Sequence, residues 1–278
     1  MHQTNWAESA LDYRPCRYGS SRLLFRGPKK TPKDPYVAFL GGSETYGKFV
    51  TSPFPDLAGP DLGMSHINLG CHNAGLDAFL NDDTAQSICR RGEITVLQAF
   101  SASDLSNRFY AVHPRRNDRF IQASPMLERA FPMVDFMEFN FTRHLLTRLQ
   151  AESPAGYRSV VQALRETWVV RTNQLVRRLN GQVILLWFGD APRRSTPQHT
   201  GPFLVTKRMI ERVQSNCLDC VKVSFSPEVC ALGTEGMHFL EHEFEAAKNL
   251  PGPVAHQEIA RALRPVLKRR LAQRKTAR

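Results

Sequence analysis

The sequence predicts a three-layer α/β/α sandwich around a mostly parallel five-stranded sheet, with strand order 2-1-3-4-5. Short apolar runs, each about one strand long, recur at Tyr36–Leu40, Met64–Leu69, Glu93–Phe100, Gln182–Phe188 and Cys220–Phe225. Segments with helical spacing lie between these runs, and that alternation calls for parallel strands joined by right-handed crossovers. Buried runs without polar alternation point to a sheet covered on both faces.

Taken in order, residues 1–35 read as an irregular arm packed on the core, with seven basic residues from Arg14 to Lys33 and prolines at 15, 28, 32 and 35. Its SRLLFRG segment fits a short strand or hairpin edge. Tyr36–Leu40 is the first core strand, and Gly41-Gly42-Ser43 turns sharply at its end. ETYGKFVTSPFPDLAG predicts a short helix broken by Pro53 and Pro55. Met64–Leu69 is the next strand, Asp83–Arg90 a short helix, and Glu93–Phe100 a strand with β-branched content. Residues 101–124 form a long polar connection that is rich in arginine. Helices are expected over Pro125–Phe131, Phe139–Gln150 and Pro154–Asn180, the last stopped by Asn180-Gly181. The strand Gln182–Phe188 leads to another polar loop, GDAPRRSTPQHTG. A helix over Phe203–Val213, the strand Cys220–Phe225 and a helix around Glu241–Lys248 follow. Pro251-Gly252-Pro253 breaks the chain before a closing helix from Ala255 to about Arg270. Residues 36–270 are thus expected to form one α/β domain, and 271–278 a basic tail.

The formal net charge is +11, from 37 basic and 26 acidic residues. Its distribution matters more than its sum, because Arg261–Arg278 holds eight basic residues and no acidic one. That end reads as a helix terminus fraying into solvent, a surface also suited to acidic partners. No secretory leader and no membrane span is evident, which points to the cytoplasm. Six scattered cysteines, with Cys217 and Cys220 as the only CxxC pair, fit reduced thiols. A lone pair lacks the second half of a zinc site, and no HExxH spacing occurs, so neither metal nor cofactor is expected. The three tryptophans are scattered and build no stacking platform, which argues against nucleic acid.

In a parallel sheet the loops after the strands gather on one edge, where open α/β sheets place their ligands. That edge collects Ser43, the Asn68–Gly70 turn, the 101–107 loop, Asp190 with Arg193 and Arg194, and the Glu235–His238 loop. An acyl-transfer mechanism needs a hydroxyl, an imidazole, a carboxylate that orients the ring, and donors facing the oxyanion. Ser43 is the candidate nucleophile, His238 the candidate base and Glu235 its orienter. Backbone N–H groups of Ser43 and Gly70, with Asn107 or the Ser103 hydroxyl, are candidate oxyanion donors. His242 and His256 stand as alternative bases, and His66 and His72 as possible pocket-lining residues. Ser43 after two glycines also fits a plain turn in which it caps the next helix.

These blocks resemble the SGNH, or GDSL-type, hydrolase superfamily over about residues 36–270. GGSETYG resembles its first block, NLG at 68–70 its glycine block, and TEGMH at 234–238 its closing acid-x-x-histidine block. SASD at 101–104 sits where a glycine-x-asparagine-aspartate block is expected, with Ser103 at the asparagine position. The resemblance implies a flavodoxin-like strand order and a serine esterase or acyltransferase. The longer stretches YVAFLGGSETYGKFV, NLGCHNAGLDAFL and SNRFYAVHPRRNDRF are similar to a bacterial family of unknown function within that superfamily. There a threonine often takes the place of Ser43, and threonine is the poorer nucleophile in such a turn.

HPRRNDRF at 113–120 offers His113, Arg115, Arg116 and Arg119 for a carboxylate, sulfate or phosphate, with Asp104, Arg193 and Arg194 nearby. Salt bridging within the loop, to Asp118 and Asp104, or contacts in a homodimer are its other uses. The expected activity is therefore ester or acyl chemistry on an anionic or carbohydrate-like substrate. The alternative is a non-hydrolytic module that holds an anionic polymer, ligand or partner protein.

Overall fold

The computed structural model describes residues 11–31, 35–59, 62–189 and 204–276. Five parallel strands form the sheet: β1 (Tyr36–Gly41), β2 (Ser65–Gly70), β3 (Ile94–Gln98), β6 (Val183–Phe188) and β7 (Asp219–Val223). Their spatial order is β2-β1-β3-β6-β7, the expected 2-1-3-4-5 arrangement. Two more strands, β4 (Tyr110–Val112) and β5 (Phe120–Ala123), pair antiparallel inside the 101–124 connection.

Strand alternation builds the layers. Tyr36, Ala38 and Leu40 of β1 face one core, while Val37 and Phe39 face the other. The first core is closed by α3 (Leu76–Leu80), α4 (Asp83–Arg91), α6 (Thr142–Glu152), α7 (Pro154–Arg178) and α8 (Lys207–Gln214). Trp168 of α7 is fully buried there, and its indole N–H donates to Phe100 O at 2.9 Å. The second core is closed by α2 (Phe54–Ala58) and α11 (Pro253–Thr276). A third, small cluster packs Phe49 against Met237, Phe239 and Ala247.

Local chemistry explains where the elements depart from expectation. Pro53 does not break a helix. It precedes α2, where its fixed φ suits a helix start. One turn of helix, α1 (Ser43–Tyr46), stands apart from α2 and ends at Gly47, whose φ of 71° is left-handed. The helices α3 and α9 (Pro227–Leu232) lie in segments to which the sequence assigns no helix, each too short for a periodic signal. The closing helix runs on through Thr276 where fraying was expected. Arg269 and Arg270 pair with Asp219, and Arg274 pairs with Glu93 across 3.2 Å, so that end is bound to the sheet.

The arm is bound to the sheet as well. Phe25 bridges Cys16 on one side and Cys71 on the other. Arg26 is buried, and its guanidinium donates to the carbonyls of Tyr46, Gly47, Val50 and Thr51 at 2.9–3.3 Å. Its cation also lies 5.0 Å from the Tyr13 ring centroid. The end of α1 and the residues up to Thr51 are thus tied to the arm through this side chain.

Candidate active site

The turn at the end of β1 is tightly specified. A Cβ at Gly41 would lie 2.0 Å from Thr45 Oγ1 and 2.5 Å from Gln98 Oε1, so only glycine admits the return of α1 over the strand. Gln98 closes β3 and is 2% exposed. Its Oε1 accepts from Gly42 N at 3.0 Å, Thr45 N at 3.3 Å and Thr45 Oγ1 at 2.6 Å. Its Nε2 donates to Glu44 Oε2 at 2.8 Å. One amide side chain therefore ties down Gly42, Glu44 and Thr45, which flank Ser43 in the chain.

Gly70, at the end of β2, lies directly beneath α1. A Cβ there would meet Tyr46 N at 2.2 Å and Tyr46 Cα at 2.5 Å, which are backbone atoms that cannot rotate away. Gly70→Ala is expected to destabilise the fold by roughly 1–3 kcal/mol through this overpacking. Chemical denaturation would check it, and an unchanged midpoint would show that α1 does not sit this close.

Ser43 is half-buried. Its Oγ lies 2.9 Å from His72 Nδ1 and accepts from Asn73 N at 3.1 Å. Asn73 holds a left-handed φ of 60°, which aims its N–H at the hydroxyl. Among the described residues the Ser43 N–H makes no hydrogen bond. Burial pushes the His72 imidazole down to about 4, helped by the Lys48 and Arg116 cations, with Glu243 opposing them. The ring is therefore neutral near pH 7. Lys48 is held by Glu243 at 2.8 Å, and its Nζ lies 4.5 Å from the Phe49 ring centroid.

The loop after β3 carries one carboxylate, Asp104, held by two hydroxyls. Asp104 accepts from Thr142 Oγ1 at 2.8 Å and Ser103 Oγ at 2.9 Å. Burial raises it to about 6 against those two bonds, and the charges of Asp118 and Glu44 add to the rise. Among the described residues no group of three His, Cys, Asp or Glu side chains is placed to hold a metal ion.

The other expected site residues are distributed as follows. The loop that carries His238 is attached just after α1, since His238 N donates to Phe49 O at 2.9 Å. Phe49 has a φ of 73°, an uncommon backbone for a bulky residue. His238 is half-buried and Glu235 exposed; among the described residues no side-chain hydrogen bond joins either to Ser43 or to the other. His242 is exposed, in a 3-10 turn. His256 is fully buried, with Nδ1 accepting from Phe54 N at 3.0 Å and its ring stacked on Phe54. It joins α11 to α2, a structural place rather than that of a base.

Three expected oxyanion donors are engaged elsewhere. Gly70 N donates to Asn68 Oδ1 at 2.8 Å. Ser103 Oγ donates to Asp104, and Asn107 Nδ2 donates to Leu105 O at 2.9 Å within its own turn. His113 Nδ1 accepts from the N–H groups of Arg115 and Arg116 at 3.2 and 3.1 Å, so the ring caps the loop. Arg119 lies over the Phe141 ring at 5.0 Å. Arg115 and Arg116 are exposed. Asp190, Arg193 and Arg194 lie outside the described residues.

A family model matches residues 1–271. The chain belongs to that family, described as a domain of unknown function, DUF6473. No curated protein matches it. Among solved structures it is similar to a family two carbohydrate esterase from Clostridium thermocellum in complex with cellohexaose. That likeness has a TM-score of 0.41 and 12% identity, covering 90% of this chain and 67% of the esterase. An active site mutant of a family two carbohydrate esterase from the same organism gives the same values. A lipase/acylhydrolase from Enterococcus faecalis is similar at a TM-score of 0.37 and 14% identity, covering 83% of this chain and 96% of that one. Among the described residues no helix is long and apolar enough to cross a membrane.

Gln98 and Arg26 were not singled out from sequence. Gln98 lies inside the expected strand Glu93–Phe100 and Arg26 sits among six other basic residues of the arm, so neither carries a local signal. His72 stood out as a residue after a turn that could line the pocket, and not as a base.

Proposed function

We propose that this chain is a serine hydrolase or acyltransferase in which Ser43 takes the acyl group and His72 takes its proton. The observation that carries the reading is the 2.9 Å contact between Ser43 Oγ and His72 Nδ1. Asn73 N–H already occupies one lone pair of the oxygen, which leaves the hydroxyl proton free to point at the ring. In the first step Oγ attacks an ester carbonyl carbon and its proton passes to Nδ1. The carbonyl oxygen becomes an oxyanion, for which the unbonded Ser43 N–H is the candidate donor. His72 then protonates the departing alcohol. Water or an acceptor hydroxyl reverses the sequence and frees Ser43.

This is a dyad: among the described residues no carboxylate hydrogen-bonds to His72. The expected base, His238, remains the second reading of the same chemistry. Its support is the attachment of its loop to Phe49, six residues beyond the nucleophile. The motif resemblance to the SGNH superfamily supports Ser43 as nucleophile in either form and, through TEGMH at 234–238, His238 as its base.

A fluorophosphonate probe tests the nucleophile. Labelling of the wild type that disappears in Ser43→Ala is the expected result, and peptide mapping should place the adduct on Ser43. A folded wild type that takes up no probe, and hydrolyses no short acyl ester, would sink the proposal and leave the non-hydrolytic binding reading.

A further inference from the structure

We propose that Arg116, together with Lys48, forms an anion-recognition subsite beside Ser43, and that the acyl substrate carries a carboxylate near its reacting ester. The inference rests on the Ser43 reading and adds the class of substrate. It starts from how Arg116 is anchored. Its own N–H is held by His113 Nδ1, and its carbonyl accepts from Arg119 N at 2.9 Å. The next residue, Asn117, is fully buried. Asn117 Oδ1 accepts from Gly75 N at 2.7 Å and Ala78 N at 3.1 Å, and Asn117 N donates to Asn73 O at 3.0 Å. Asn73 in turn donates to Ser43 Oγ. Two residues and a run of hydrogen bonds thus fix the base of Arg116 to the nucleophile.

The charge balance at this edge is incomplete. Arg116 is exposed and makes no ion pair among the described residues, while Lys48 is paired once, with Glu243. Asp118 feels the Arg116 charge, but its own carboxyl is pushed up by burial, which weakens it as a counter-ion. Both cations act on His72 and, after burial, are the next causes of its lowered basicity. Cations beside a general base reduce its pull on a proton. A bound carboxylate would offset them and restore the basicity of His72 only when substrate is in place. Binding energy would then serve the chemical step rather than affinity alone. An exposed guanidinium on a rigid turn also meets a planar carboxylate with two parallel donors.

The test compares 4-nitrophenyl acetate with the mono-4-nitrophenyl ester of succinic acid, in wild type, Arg116→Ala and Arg116→Lys. The ratio of kcat/KM values, anionic over neutral, is expected to fall at least tenfold in Arg116→Ala and to recover in part in Arg116→Lys. It should also fall as salt is added. A ratio unmoved by Arg116→Ala overturns the subsite. Calorimetry of succinate on Ser43→Ala protein, with and without Arg116→Ala, decides the matter without turnover. At least tenfold weaker binding in the double variant supports the subsite; equal binding, or none with Arg116 intact, overturns it. If neither ester is cleaved yet succinate binding depends on Arg116, the nucleophile reading fails and the subsite stands.

Discussion

His72→Gln is expected to slow acylation of Ser43 about 10³-fold, within the range a positioned general base supplies. Glutamine keeps a polar group of similar reach near Ser43 Oγ but cannot carry the proton away. The rate of fluorophosphonate labelling reads this step directly. The pH dependence adds a second, independent mark. Burial and the two nearby cations hold the His72 ring down at about 4. The ring is neutral, and able to accept a proton, at any pH well above that value. The wild-type rate should therefore stay level from pH 8 to about 5 and drop only as pH approaches 4. An imidazole at its ordinary value, near 6.5, would put that fall more than two units higher. His238→Gln is the control. A loss of rate in His238→Gln with little change in His72→Gln would transfer the role of base to His238.

Why the sheet was legible and the base was not follows from the range of the forces involved. Strand runs such as VAFL and VILLWF declare themselves through local burial, and the helices between them leave one simple way to order five parallel strands. Gly41-Gly42-Ser43 was legible for a similar reason, because the close return of α1 excludes side chains. The partner of Ser43 depends on something no local pattern holds. It is whichever ring the neighbouring strand end delivers, and β2 lies next to β1 in register, with Gly41 opposite Gly70. His72, two residues beyond Gly70, was thus closer to Ser43 than any histidine near the end of the chain. A parallel neighbour ending at the same level is a better guide than motif spacing when motifs depart from their pattern, as SASD does here. Gln98 illustrates the complementary failure. A single polar residue within an apolar strand run carries no local signal, yet it gathers three donors and Glu44 around the turn.

The stability of the protein is expected to fall on acidification through His256, by about 1.4 kcal/mol per pH unit for this one group. The ring is fully buried, and burial holds it down at about 3, with the Arg26 charge adding to the effect. Its Nδ1 accepts from Phe54 N, so the proton resides on Nε2, which has no hydrogen-bond partner among the described residues. Protonating Nδ1 would break the bond to Phe54 and place an uncompensated charge between α2 and α11. The unfolded chain binds that proton near 6.5 and the folded chain near 3. Between these values the unfolded state holds the extra proton, and stability drops as pH falls. The stabilisation is complete above 6.5 and gone near 3. Asp104 works in the opposite direction. Raised to about 6, it favours the folded state in acid and loses that contribution as pH rises through 6. A wild-type profile alone would blend the two, and comparison with His256→Asn separates them. Asparagine offers an acceptor to Phe54 N–H but does not titrate. At pH 8 the variant should be less stable by about 2 kcal/mol for lost packing and stacking. By pH 5 the difference should close or reverse, because only the wild type is penalised by protonation. Urea denaturation at pH 8, 6.5 and 5 provides the measurement. A gap of constant size at all three would mean that His256 does not titrate between the folded and unfolded states as its burial requires.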